Sequence, residues 1–219
     1  MSHDAAEYSP GTMDVLLAQM PPNGRVLDLG CGRGSFSYVA FPHLAIEALD
    51  EFPAPEAGHF PAHVAYRQGR AEALPYDAAS FDLVIANFVM EHVSDFAAAI
   101  DEIARTLKPG GHFYMSVPDF RSFEDALYRA LYAGGGHLQR HTLESVLATV
   151  YARTPLKLIS YVEWPAGYTF LGDSEALRAL VAQIGMACQE ALGIDIRARS
   201  NYLMVFQAQQ GLGRQCYRA

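Results

Sequence analysis

Between residues 25 and 118, short apolar runs alternate with segments of helical periodicity, and this alternation leaves the chain few ways to fold. Residues 25–30 (RVLDLG), 44–50 (LAIEALD), 63–68, 81–88 (FDLVIANF) and 112–117 read as five strands. A short helix is expected after the first glycine loop, ending before Pro42. Over 95–107, Phe96, Ile100, Ile103 and Leu107 recur at spacings of four, three and four, which is one face of a helix. Ser94 is its expected cap, and Lys108-Pro109-Gly110-Gly111 its stop. Strands joined by helical crossovers imply a largely parallel sheet covered on both faces, a doubly wound α/β fold. Ligands of such sheets gather at the carboxyl ends of the strands, where the strand order reverses.

The remaining hundred or so residues are less regular. Residues 156–163 and 201–208 (NYLMVFQA) read as a sixth and a final strand, bringing the count to seven. Thr142 is placed to cap a helix carrying Leu143, Val146, Leu147 and Val150. Asp173 or Ser174 opens another, with Leu177, Leu180, Val181, Ile184 and Cys188 on one face and Gly193 closing it. The long segment 164–200 is expected to cover an active site or to form an interface, including one between two copies of the chain. Tyr8 and a helix over 12–20, with Met13, Leu16, Leu17 and Met20, suggest an N-terminal lid over residues 1–22. The whole chain, 1–219, is expected to be a single domain.

Bulk properties narrow the partners. Hydrophobic residues make up 51% of the chain and charged ones 18%, enough apolar material for a substantial core. The formal charge of −8 disfavours a nucleic-acid substrate, and Arg197, Arg199, Arg214 and Arg218 are too scattered to form a basic patch. Cys31, Cys188 and Cys216 have no paired spacing, so neither a zinc knuckle nor a disulfide framework is expected, and a reducing cytosol fits best. The polar, acidic stretch 1–7 is unlike a secretion signal, and no apolar run reaches membrane-spanning length.

The sharpest motif is Asp28-Leu29-Gly30-Cys31-Gly32-Arg33-Gly34, directly after the first strand. Glycines let a backbone turn tightly and approach a ligand. A nicotinamide-dinucleotide loop would need glycine at the third residue after Gly32, yet Ser35 stands there. The loop therefore suits a ligand without a pyrophosphate. Asp50 ends the second strand 20 residues after Gly30, where a carboxylate can accept hydrogen bonds from the hydroxyls of a ribose.

With both features in place, VLDLGCGRGSFS resembles the first motif of the class I S-adenosylmethionine-dependent methyltransferases. The pattern continues through ALDEF, GRAEALPYDAASFDLVIANFVMEHV and LKPGGHFYMSVP, in the family's order, over about residues 20–120. The chain is most similar to the small-molecule group that includes ubiquinone-type methyltransferases. The resemblance implies a Rossmann-like, mostly parallel seven-stranded sheet whose last strand is antiparallel, with S-adenosylmethionine as cofactor. It places Gly30, Cys31, Gly32 and Gly34 beside the methionine portion, with Asp28 fixing the loop and reaching the amino group through water. It gives Asp50 the ribose, sets Glu51 and Phe52 near the adenine, and has Ala71 offer its backbone amide to the ring. Asn87 would meet the methionine amino group through its carbonyl. One position departs from the family: Arg70 stands where an aspartate commonly accepts from the adenine amino group. Arginine has no acceptor, so Glu72 takes that contact or the contact is missing.

Methyl transfer is an in-line displacement whose leaving group departs neutral, so positioning can supply much of the catalysis. A base is needed only when the acceptor arrives protonated. Asn87-Phe88-Val89-Met90 lacks the two prolines and the aromatic of exocyclic base-nitrogen methylases. Metal-assisted relatives carry Glu-x-x-Glu-His after this strand, but Phe88 replaces the first glutamate, and Glu91-His92 alone cannot build that site. His137 and His141 would share a helical face, but Gly134-Gly135-Gly136 argues against helix there, so no metal is expected. His141 is the leading candidate for a general base, followed by His92 and His137, against ordinary polar or capping roles for all three. Tyr128, Tyr132, Trp164, Tyr168 and Phe170 fall in segments expected to cover the site and favour an uncharged or aromatic acceptor. The function expected is methyl transfer to oxygen, nitrogen or carbon of a small metabolite. The competing reading is a non-catalytic S-adenosylmethionine-binding subunit, and the misplaced third glycine opposes a nicotinamide oxidoreductase.

Overall fold

The computed structural model describes residues 13–56, 58–132, 136–193 and 199–209. Tyr8, Gly134, Gly135, Arg197, Arg214, Cys216 and Arg218 lie outside the described residues, as does most of the proposed N-terminal lid. In chain order the elements are α1 (Met13–Ala18), β1 (Arg25–Leu29), β2 (Ala45–Asp50), β3 (Val64–Gln68), β4 (Phe81–Asn87) and α2 (Phe96–Thr106). They are followed by β5 (Leu107–Pro118), α3 (Phe123–Leu131), α4 (Leu143–Arg153), β6 (Leu156–Pro165), α5 (Glu175–Leu192) and β7 (Arg199–Ala208).

The strands form one seven-stranded sheet in the order β3-β2-β1-β4-β5-β7-β6. Every pairing from β3 through β5 is parallel, and β7 runs antiparallel to both β5 and β6. The order reverses between β1 and β4, so the loops leaving these strands diverge and open a crevice at their carboxyl ends.

Side-chain alternation along the central strands feeds a core on each face of the sheet. Leu27, Leu29, Val84, Ala86, Phe113 and Met115 pack with Ile100 and Ile103 of α2 and Val146 and Val150 of α4. Val26, Leu83, Ile85 and Tyr114 point the other way, against Met13 and Leu17 of α1 and against Phe36 and Tyr38. The described part of the N-terminal segment is thus packed into the second core. Among the described residues, no helix is long and apolar enough to cross a membrane.

Several local expectations need correction. The N-cap of α2 is Asp95, whose carboxylate accepts from the Ala98 amide at 3.0 Å. Ser94 is drawn away because its hydroxyl donates to Glu72 at 2.7 Å. The segment after the glycine loop forms only a 3-10 turn, Tyr38–Ala40. The Lys108–Gly111 stop lies inside β5, because Leu107 already pairs with Phe81 before an irregularity carries the register to Leu83 and His112. A Cβ on Gly111 would come within 2.9 Å of the Lys108 carbonyl, so this bulged start needs glycine. Thr142 caps α4 as expected, in a reciprocal capping box with Ser145.

Candidate active site

Two adjacent cavities open at the carboxyl ends of the strands, and Phe88 and His92 belong to the walls of both. The first, of about 820 Å³, is bounded by the glycine loop and by the residues that follow β2, β3 and β4. The second, of about 680 Å³, lies under the segment that joins β6 to α5.

The glycine loop begins where β1 ends. Gly30, with φ of 64°, sits so close to the loop after β4 that a Cβ there would lie 2.5 Å from both methyl carbons of Val89. Gly32 also has positive φ, 49°, but faces open space, and its amide donates to Asp50 Oδ2 at 2.8 Å. Asp50 Oδ1 accepts from the Phe52 amide at 3.1 Å. Beneath the loop, Asp28 is fully buried and accepts from the Ser35 amide and hydroxyl at 3.0 and 2.6 Å and from the Tyr38 hydroxyl at 2.5 Å. Burial pushes its carboxyl pKa up against these three donors. Asp28 fixes the loop from below, and it does not line either cavity; nor do Cys31 and Gly34.

The rim of the first cavity is an ionic clasp. Arg70 donates to Glu72 Oε1 at 3.1 Å and to the Ser94 hydroxyl at 2.9 Å, and it pairs with Glu51 at 3.7 Å. Glu72 Oε1 also accepts from the amides of Ser94 and Asp95, at 2.9 and 3.3 Å. Partial burial opposes ionisation of Glu72, but the bonds from Ser94 and Asp95 outweigh it and hold the pKa down at about 2. Arg70 thus bridges the loops after β2, β3 and β4. The cavity brings together Gly30, Gly32, Asp50, Glu51, Phe52, Ala71 and Glu72 from the expected set.

At the end of β4 the Ser116 hydroxyl donates to Asn87 Oδ1 at 2.6 Å and accepts from the Phe88 amide at 2.9 Å. This relay turns the Asn87 side chain toward β5. Asn87 lines neither cavity, whereas Phe88, held at φ of 54°, forms the shared wall.

The second cavity is built largely on α3. Its Glu124 is half-buried and accepts from the amides of Gly167 and Tyr168 at 3.0 and 2.6 Å and from Asn201 Nδ2 at 3.2 Å, which pins the covering segment. Burial raises the Glu124 pKa. Asp125 is fully buried and accepts from His137 Nδ1 at 2.6 Å and from Arg129 Nε at 2.5 Å. Arg129 donates in turn to the carbonyls of His137 and Gln139. Tyr128, Trp164, Tyr168 and Phe170 line the cavity, with the Tyr128 ring stacked on His137 at 4.3 Å; Tyr132 stays outside, its hydroxyl donating to the Phe170 carbonyl. Glu91 and His137 complete the wall beside His92.

His141 does not reach either cavity. It is 4% exposed, donates through Nε2 to the Met90 carbonyl at 3.1 Å and packs on the Phe96 ring. Glu91, His92 and His137 do face the second cavity, beside the acids Glu124, Asp125 and Glu175. Burial pushes Glu91 up to about 8 and lowers the pKa of His92, which favours a neutral imidazole. Glu124 and Asp125 carried no motif. The only local hint was the spacing of Asp125 and Arg129, four apart on one helix face.

Residues 1–162 match the methyltransferase domain family. Among curated proteins, the malonyl-acyl-carrier-protein O-methyltransferase of Enterobacter lignolyticus is 32% identical over 165 residues, covering 70% of this chain and 65% of that one. The trans-aconitate 2-methyltransferase of Methylobacterium nodulans is 30% identical over 164 residues, covering 72% and 61% respectively. The chain thus spans less than two thirds of the length of either relative. Among solved structures, the YcgJ protein of Bacillus subtilis superposes with a TM-score of 0.65 at 21% identity, over 90% of this chain and 98% of that one. The sheet order, the reversed β7 and this similarity are those of the Rossmann-like fold expected from the motifs. With residues 1–162 of its 219 matched, the chain belongs to the methyltransferase domain family.

Proposed function

We propose that this chain transfers a methyl group from S-adenosylmethionine to a small acceptor held in the second cavity. The observation that carries the reading is the meeting of two cavities at Phe88 and His92, one walled by the glycine loop and Asp50 and the other by aromatic rings. The first cavity fits the cofactor in two respects. Space is open in front of Gly32, and each Asp50 oxygen spends one acceptor position on the loop, leaving one for a ribose hydroxyl. When bound, S-adenosylmethionine supplies a methyl group on a cationic sulfur that departs as a neutral thioether.

The residues divide the remaining work. Gly30 and Gly32 allow the backbone close to the methionine portion, while Phe52 and Ala71 flank the adenine and Arg70 holds their loops. Asn87 contributes through its backbone. Asp28 supports the loop from beneath instead of contacting the ligand. Phe88 fixes where the two ligands meet, and the segment over the second cavity excludes water, anchored by Glu124. For an acceptor that arrives protonated, His92 and His137 stand closer to the chemistry than His141. The aromatic lining favours a planar or aromatic acceptor.

A non-catalytic binding subunit would have no need for the second cavity. The absence of paired cysteine spacing supports a cytosolic setting. The exposed Leu177, Leu180, Ile184 and Met186 on α5 support a homodimer through that helix, which light scattering would test. Calorimetric titration with S-adenosylmethionine, S-adenosylhomocysteine and NAD tests the main claim. Saturable binding of both adenosyl compounds is expected; binding of neither, or of NAD alone, would refute it.

A further inference from the structure

Glu91, His92 and His137 meet on the wall of the second cavity although Glu91 and His137 are 46 positions apart in the chain. One ligand atom from each lies within 4.8 Å of the other two. We propose that these three residues bind one divalent transition-metal ion. This site revises the sequence expectation of no metal. The position occupied by Phe88 remains without a ligand, and the third donor comes from His137, in the irregular segment before α4.

The donors are prepared for such a role. Glu91 is 1% exposed, and its Oε2 is buried without a hydrogen-bond partner among the described residues. A buried carboxylate oxygen left in that state is costly, and a cation supplies the missing partner. Each imidazole is held from behind. His92 Nδ1 donates to the Gly136 carbonyl at 3.0 Å, and His137 Nδ1 donates to Asp125 Oδ1 at 2.6 Å. With the proton on Nδ1, the Nε2 lone pair of each ring is free to bind metal, and a carboxylate behind the histidine fixes both tautomer and orientation. Asp125 is itself locked by Arg129, so the pair adds no net charge. Ligands of a tetrahedral ion stand roughly 3.4 Å apart at ordinary metal–ligand lengths, so a side-chain adjustment on the order of 1 Å closes the site.

Two nitrogens and one oxygen suit zinc, iron(II), cobalt(II) or nickel better than magnesium or calcium, which prefer oxygen alone. Three protein ligands leave coordination positions open toward the cavity. The role of the ion rests on the methyl-transfer reading. An acceptor hydroxyl bound to it becomes more acidic and releases its proton to water, keeping the electron pair on oxygen. The site therefore selects acceptors that present oxygen to the methyl donor.

The test uses the full chain, stripped with a chelator and titrated with cobalt(II) alone, without cofactor. Uptake of about one ion per chain is expected, with visible ligand-field bands and two exchangeable imidazole protons shifted by the paramagnetic ion. Glu91→Gln and His137→Ala should each weaken uptake at least ~10-fold, Asp125→Asn roughly 10-fold or more through His137, and His43→Ala not at all. Unfolding curves without metal confirm that each variant is folded. A wild-type chain that takes up no cobalt, or that shows no shifted imidazole protons when loaded, overturns the proposal, as does uptake that survives both ligand substitutions. Metal binding without S-adenosylmethionine binding would sink the methyl-transfer reading and leave the site standing.

Discussion

Gly30→Ala probes the closest approach in the glycine loop. Two separate costs follow from the geometry. The first is conformational: φ is 64°, and a Cβ in the left-handed region costs roughly 1–2 kcal/mol. The second is steric. The new methyl would sit 2.5 Å from both Val89 methyl carbons, and overpacking of this kind costs typically about 1–3 kcal/mol. The sum is about 2–5 kcal/mol, a large share of the stability of an ordinary domain. The two parts separate in a double-mutant cycle. Val89→Ala removes the contacts at 2.5 Å but leaves the residue 89 Cβ at 3.1 Å, so it relieves most of the steric part and none of the conformational part. Urea unfolding of the single and double variants, without any ligand, should give a favourable coupling of about 1–2 kcal/mol. A Gly30→Ala cost below about 0.5 kcal/mol, or a coupling indistinguishable from zero, would refute the claimed contact between the β1 and β4 loops.

Three further perturbations test other parts of the site. Asp50→Ala should weaken S-adenosylhomocysteine binding by roughly 1–3 kcal/mol in calorimetry, the scale of lost charge-assisted hydrogen bonds, and unchanged affinity would assign the ribose to another group. The Glu72 pKa is held near 2 in the folded chain against an ordinary 4.5, so its stabilising contribution is present above 4.5 and fades as pH falls toward 2. Glu72→Gln should therefore flatten the stability profile in that acid window and leave its slope near neutrality unchanged; an unaltered acid limb would contradict the hold of Ser94 and Asp95 on Glu72. Glu124→Ala removes the acceptor for the Gly167 and Tyr168 amides, and hydrogen exchange should accelerate at those two amides while β4 and β5 stay protected. Uniform acceleration would mean that Glu124 supports the whole fold, not just the cover.

The half of the site proposed for the cofactor was legible because its parts are local. Gly30, Gly32 and Asp50 each lie at or directly after the end of a buried strand, and an apolar run followed by glycine marks both strand and loop. The reversed β7 came from family resemblance, and the strand order was not read at all, since pairing partners leave no local trace. Asp28 fixes the loop as its motif implies, and the alternation of β1 shows how. Leu27 and Leu29 pack into one core and Val26 into the other, so Asp28 points to the Val26 face, beneath the loop, where Tyr38 and Ser35 await it. Arg70 looked like a lost adenine contact because its neighbours in space, Glu51 and Ser94, come from two other loops.

The acceptor half resisted the same reading for a physical reason. His137 and His141 attracted notice as a pair four apart, but that spacing unites side chains only on a helix. The carbonyls of His137 and Gln139 both accept from Arg129, and the Gln139 amide donates to the Glu91 carbonyl, which ties the segment, without regular structure, to α3 and the β4 loop. The two side chains part company: His137 faces the cavity while His141 turns into the core toward Met90. The selection between two histidines of equal apparent promise was therefore made by Asp125 and Arg129. These side chains on another element determine which imidazole faces the second cavity.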